Sequence, residues 1–152
     1  MLRLVRTNSD NPDFQALVAL LDRYLAEIDG DEHVFYAQLN RIDYLDTVVV
    51  AYLGGRPVGC GAFRAYTAEA VEIKRMFVQP AHRGQGVAGA VLAELEARAR
   101  EAGYPAAVLE TGKRQPAAIR LYEKSGYART ENFGQYAGIE NSVCLRKAMG
   151  QP

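Results

Sequence analysis

Cysteine is scarce in this chain. Cys60 and Cys144 are its only two, they stand far apart, and neither has metal-ligand spacing around it. Both fall in apolar segments, so they are expected as small core residues. A disulfide, a metal site or a nucleophilic cysteine is not expected. An excess of either charge is also missing: 18 Lys and Arg stand against 18 Asp and Glu. No basic surplus suggests nucleic acid, and no Lys/Arg-rich block suggests an anionic membrane. Long apolar runs are absent too. The longest are short and broken by charge, well below the roughly 18 residues of a membrane span. The opening Met1-Leu2-Arg3-Leu4-Val5-Arg6 has no apolar stretch of signal-peptide length. A cytoplasmic protein is the expectation. No internal repeat, low-complexity tract or linker interrupts the 152 residues. One domain over 1–152 is expected, burying about 68–70% of the unfolded chain's surface.

What is present is strong periodicity. Residues 2–6 predict a first strand. Asn8, Ser9 and Asp10 supply helix-start chemistry. Phe14, Leu17, Val18, Leu21 and Leu25 then mark an amphipathic helix that ends near Asp29-Gly30. A second, shorter helix is predicted over 31–40. Thr47–Leu53 reads as a strand, Gly54-Gly55 as a hairpin turn, and 57–66 as the returning strand, which Gly59 and Gly61 make easy to bend. Ala70–Val78 is a third consecutive strand, so this half is antiparallel.

After Pro80 the pattern changes. Ala88, Val91, Leu92, Leu95, Ala99 and Ala102 mark one face of a long helix that Gly103 ends. Glu94 with Arg98, and Glu96 with Arg100, form i,i+4 pairs in the favourable order. Residues 106–110 form a short strand reached through that helix, hence parallel to the strand before it. Pro116–Lys124 is another helix, ended by Gly126. Residues 127–130 and 141–147 close the sheet around a Gly- and aromatic-rich loop at 131–140. The class is α/β (α+β): a mixed, mostly antiparallel twisted sheet with helices on both faces.

The stretch RGQGVAG, at 83–89, overlaps three phosphate motifs. A P-loop needs Lys and then Ser/Thr after its last glycine, and Gly89 is followed by Ala90-Val91. A dinucleotide-binding turn puts its first glycine at the end of the strand, but five residues separate Val78 from Gly84. An antiparallel meander also precedes that strand. Glu110 sits where a ribose-binding acid would, so a small dinucleotide-binding domain stays as an alternative. The third pattern, Arg83-x-x-Gly86-x-Ala88, needs consecutive backbone N–H groups aimed at one anion at a helix start.

The neighbouring residues resemble the GNAT superfamily of acyl-CoA-dependent N-acetyltransferases. The resemblance is carried by Glu72-Ile73-Lys74-Arg75-Met76-Phe77-Val78-Gln79-Pro80, then Arg83-Gly84-Gln85-Gly86-Val87-Ala88. Further on it is carried by Ala117-Ala118-Ile119-Arg120-Leu121-Tyr122-Glu123-Lys124-Ser125-Gly126-Tyr127. It implies an acyl-CoA-binding core over 46–148 and a variable acceptor-side half over 1–45. It also implies that the strand Ala70–Val78 is bulged near its end and splayed from its parallel neighbour. The pantetheine arm of acetyl-CoA would pair with backbone around Met76, Phe77 and Val78. The loop Arg83, Gly84, Gln85, Gly86, Val87 and Ala88 would hold the pyrophosphate, and an N–H near Phe77 would polarise the acetyl carbonyl.

Tyr122 matches the family's usual general acid, which protonates the leaving thiolate. Gln115 stands where the family often has an Asn that touches the cofactor arm. Glu72 and Glu110, on the two strands flanking the cleft, are the candidate general bases, each with a structural or solvent-facing role as its alternative. The acceptor pocket would draw on Tyr24, Glu27, Asp31, Glu32, His33, Tyr36, Phe133 and Tyr136. Its carboxylates and rings suit a cationic amine. The function implied is transfer of acetyl from acetyl-CoA to a primary amine of a small molecule or peptide by direct attack, with no metal. A CoA-binding sensor without catalysis is the rival. Edge strands allow a homodimer.

Overall fold

The computed structural model describes residues 1–30 and 45–150. The helix expected over 31–40 and the acceptor residues Asp31, Glu32, His33 and Tyr36 lie outside them. In chain order the elements are β1 (Leu2–Thr7), α1 (Pro12–Asp29), β2 (Thr47–Leu53), β3 (Arg56–Ala65), β4 (Ala70–Val78) and α2 (Val87–Glu101). They continue as β5 (Ala106–Gly112), α3 (Pro116–Lys124), β6 (Ala128–Thr130) and β7 (Ser142–Ala148). The sheet order is β1-β2-β3-β4-β5-β7-β6. β4 and β5 are parallel, as the helical crossover requires. The pairs β1–β2, β2–β3, β5–β7 and β6–β7 are antiparallel.

Two compact units divide the chain: Met1–Arg64 with Lys74–Leu95, and Ala65–Ile73 with Glu96–Pro152. In the first, Asn11 caps α1 by accepting the Phe14 N–H at 2.9 Å, and Pro12 opens the helix where its missing donor costs nothing. The stripe Phe14, Leu17, Val18 and Leu21 packs on Val48, Val50, Tyr52, Cys60, Ala62 and Phe77. Each such side chain contributes about 1.5–3 kcal/mol on burial. Alternation turns Gly59 and Gly61 to the other face, towards α2. A Cβ on Gly61 would lie 2.5 Å from Met76 Sδ and 2.8 Å from Leu95 Cδ1; one on Gly59 would lie 2.8 Å from Val87 Cγ1. These glycines therefore let the helix sit close on the strand, a use that the expectation of a bend does not include.

In the second unit, β4 pairs with β5 from Ala70↔Ala106 to Ile73↔Leu109. β5 then pairs with β7 along its length, with Glu110 opposite Cys144. Alternation places Glu72, Val108, Glu110 and Cys144 on one face. Tyr66 and Phe133 pack over Ala70, Ala106 and Val108. The i,i+4 reading of Glu96 is corrected here. Glu96 is buried and accepts the Tyr127 hydroxyl at 2.8 Å and the Lys147 ammonium at 2.9 Å. Its position between Leu92 and Ala99 puts it on the core side of α2, so it serves the interior and not the exposed helix surface.

Candidate active site

The glycine loop runs from the end of β4 into α2. A single 3-10 turn at Pro80–His82 precedes it. Gly84 and Gly86 adopt φ of 77° and 81°, conformations that L side chains rarely take. A Cβ added at Gly84, Gly86 or Gly89 would meet nothing within 4 Å. Among the described residues, the N–H groups of 84–89 have no protein acceptor. The first to bond back is Ala90, to the Gly86 carbonyl at 3.1 Å. Unpaired N–H groups, the positive end of the α2 dipole and open space in front of small residues together fit a phosphate-bearing ligand.

Arg83 faces elsewhere. Its Nε donates to the Val78 carbonyl at 3.0 Å, and its guanidinium lies 5.1 Å from the Tyr24 ring centre and 5.8 Å from that of Phe77. Its charge is thus held at the end of β4, beside Tyr24 of α1, and is not spread over the loop N–H groups. Two residues before Phe77, Arg75 takes φ 58° in mid-strand. This left-handed residue interrupts β4 three positions before its end. The conformation costs about 1–2 kcal/mol in a residue with a Cβ. The surroundings fix it: the guanidinium pairs with Asp22, and the carbonyl accepts the Cys60 thiol at 3.5 Å.

In the second unit, Tyr122 is buried on α3, and among the described residues its hydroxyl makes no hydrogen bond. Other tyrosines differ. Tyr52 donates to Asp13 at 2.7 Å, Tyr127 to Glu96 at 2.8 Å, and Tyr136 to Glu72 at 2.9 Å. Burial pushes the Tyr122 pKa above its ordinary 10.0, and the charge of Glu110 pushes it further the same way. Tyr122 is therefore a neutral phenol with an uncommitted proton at physiological pH.

The structure joins two residues that the sequence assigns to different tasks. Glu72, a candidate base, is 2% exposed and accepts the hydroxyl of Tyr136, a candidate acceptor-pocket residue. Phe133 lies against both Tyr136 and Tyr66, with ring centres at 5.5 and 4.9 Å. Glu110 is half-buried. Cys144, across from it, has its thiol pushed up to about 11 by burial, with Glu110 and Glu72 adding to the shift and the backbone of Phe133 opposing it. It is a core thiol, as is Cys60, which burial pushes up to about 12. Gln115 opens α3 without capping it, and its amide lies beside Gly112, where an added Cβ would meet Nε2 at 3.7 Å. Glu27 is exposed at the end of α1. Arg75 and the Tyr127–Glu96–Lys147 group have no counterpart among the sequence-derived candidates. For Glu96 the available signal is its place on the apolar stripe of α2.

The acetyltransferase (GNAT) family model matches residues 14–127. Over 135 residues, 88% of this chain and 88% of the relative, the chain is 38% identical to the IAA acetyltransferase of Azospirillum brasilense. A solved Klebsiella pneumoniae protein assigned as an acyl-CoA N-acyltransferase superposes with a TM-score of 0.82 at 31% identity, covering 98% of both chains. A GNAT family acetyltransferase of Elizabethkingia anophelis, solved with acetyl-CoA bound, shares the fold with a TM-score of 0.70 at 19% identity, covering 97% of both. No helix among the described residues is long and apolar enough to cross a membrane. The chain belongs to the acetyltransferase (GNAT) family.

Proposed function

We propose that this protein moves an acetyl group from acetyl-CoA to a primary amine of a small molecule or peptide, by direct attack, with Tyr122 as general acid. The backbone N–H groups of Gly84, Gln85, Gly86, Val87 and Ala88 take the pyrophosphate, while that of Arg83 stays on the Pro80 carbonyl at 3.4 Å; the backbone of Met76, Phe77 and Val78 takes the pantetheine arm. Gln115 adds an amide near the start of α3. The amine nitrogen forms a bond to the thioester carbon, the carbon–sulfur bond breaks, and Tyr122 gives its proton to the departing sulfur. Of the two carboxylates, Glu110 takes the proton from the amine, directly or through one water. It is the more accessible, and its charge is felt at Tyr122. Glu72, closed over by Tyr136, holds that ring beside Phe133 to form one wall of the acceptor pocket.

The observation that carries this reading is the Tyr122 hydroxyl, buried, protonated and unbonded among the described residues, in a chain whose family transfers acetyl groups. Tyr122→Phe is expected to lower turnover by about 10²–10⁴-fold. Single-turnover thioester consumption, with the fastest acceptor from a panel of amino acids, polyamines, aminoglycosides and peptides, measures it. A wild-type rate discards the acid role. Thermal stabilisation by NAD and not by CoA would remove the acetyl-CoA assignment altogether. Stabilisation by CoA with no turnover across the panel would favour a sensor.

A further inference from the structure

Tyr122 stands three residues before the cap of a short helix, and its backbone carbonyl carries hydrogen bonds that its hydroxyl lacks among the described residues. The Tyr127 N–H donates to the Tyr122 carbonyl at 3.0 Å, and the Gly126 N–H to the Glu123 carbonyl at 3.1 Å. With Ser125 as cap and Gly126 at φ 100°, this is a paired helix closure around a left-handed glycine. Such a closure presses the side chain two residues past the cap onto the one three before it. Here those side chains are two tyrosines, meeting edge to face with ring centres 6.1 Å apart at 67°.

Tyr127 is itself pinned at its far end. Glu96 from α2 accepts its hydroxyl on Oε2, and Lys147 from β7 donates to Oε1 of the same carboxylate. The Lys147 ammonium lies 5.8 Å from the Tyr127 ring centre. Its stem runs over Gly126, where an added Cβ would meet Lys147 Cε at 3.3 Å. A carboxylate as buried as Glu96 is tolerable only with such partners. Two charged groups from separate elements are thus committed to holding one ring, and that ring leans on Tyr122.

We infer that Tyr127, clamped by Glu96 and Lys147, is a positioning residue that fixes where the Tyr122 hydroxyl points. The inference rests on Tyr122 as the acid. A phenol reaches its reacting atom through a ring that pivots on two bonds, so an edge contact on the ring sets the hydroxyl's place. A misplacement near 1 Å costs up to about 10²-fold in rate.

The test is a double-mutant cycle on the purified full chain, with acetyl-CoA and the amine that turns over fastest. Tyr127→Phe keeps the ring and removes its anchor. It is expected to lower kcat about 10-fold while KM for acetyl-CoA stays put. In a Tyr122→Phe background the same change is expected to lower kcat no further, because no acid is left to misplace. An equal loss in both backgrounds, or no loss in either, overturns the inference. A Tyr122→Phe enzyme with wild-type kcat instead overturns the acid reading itself, which separates the two failures. The isosteric Glu96→Gln, which leaves Tyr127 in place, runs the same cycle where Tyr127→Phe does not fold.

Discussion

Four tyrosines illustrate how much chemistry depends on where one hydroxyl donates. Tyr52, Tyr127 and Tyr136 spend their protons on Asp13, Glu96 and Glu72, while Tyr122 has no such partner among the described residues. The sequence distinguishes Tyr122 only through its place in a motif. Nothing local to Tyr136 announces that it would close over Glu72, because the two are 64 residues apart. That pairing bears on the proposed base. With Glu72 buried beneath Tyr136, the amine's proton is assigned to Glu110 as the more accessible of the two carboxylates. Glu110→Gln is expected to lower kcat/KM by about 10²–10⁴-fold near neutral pH. The deficit is expected to shrink as pH rises towards the amine's own pKa, near 10.4 for a lysine-like acceptor, since bulk solvent then supplies the free amine. A pH profile of both enzymes measures this, and a deficit constant across pH removes Glu110 as the base.

At the scale of elements, the helices are legible from an apolar stripe of helical period, and β2, β4 and β5, buried on both faces, from short apolar and β-branched runs. Ala70–Val78 and Pro116–Lys124 have the observed bounds. Packing distance between elements is less legible, since a glycine in a strand reads alike whether it bends the chain or admits a helix. Gly61 admits one, and Gly86 opens a space; their substitutions should separate by readout. Gly61→Ala drives a methyl against Met76, Leu95 and Val91, and is expected to cost about 1–3 kcal/mol of stability. Acetyl-CoA affinity of the folded protein should be unchanged. Gly86→Val costs about 1–2 kcal/mol for its positive φ. It also fills the space before the loop's N–H groups, so Kd for acetyl-CoA should rise about 10-fold or more, some 1.4 kcal/mol. Urea unfolding with calorimetric titration of each variant measures both quantities. A Gly86→Val protein with wild-type affinity takes the loop out of the proposed site.

Across the whole molecule, balanced charge leaves little net field, so pH acts through the interior. Several buried groups hold their protons more tightly folded than unfolded. The thiol of Cys60 moves from 9.0 to about 12 and that of Cys144 from 9.0 to about 11, chiefly through burial. Tyr122 and Tyr127 move upward from 10.0, again chiefly by burial. A raised folded pKa means that the unfolded chain gives up its proton first as pH rises. Stability from these groups is whole below pH 9, where the unfolded thiols begin to ionise. It then falls through the folded values, near 11 for Cys144 and 12 for Cys60. Each group whose proton is lost only on unfolding contributes a slope of about 1.4 kcal/mol per pH unit. Urea midpoints taken from pH 8 to 11 should therefore decline, with most of the loss above pH 9. Cys60→Ala should start from a lower midpoint, having lost packing, and decline less steeply between pH 9 and 11, having lost one titrating group. A midpoint that stays level over this range, or a Cys60→Ala slope as steep as wild type, would mean that these interior thiols are not the groups that set the alkaline limit.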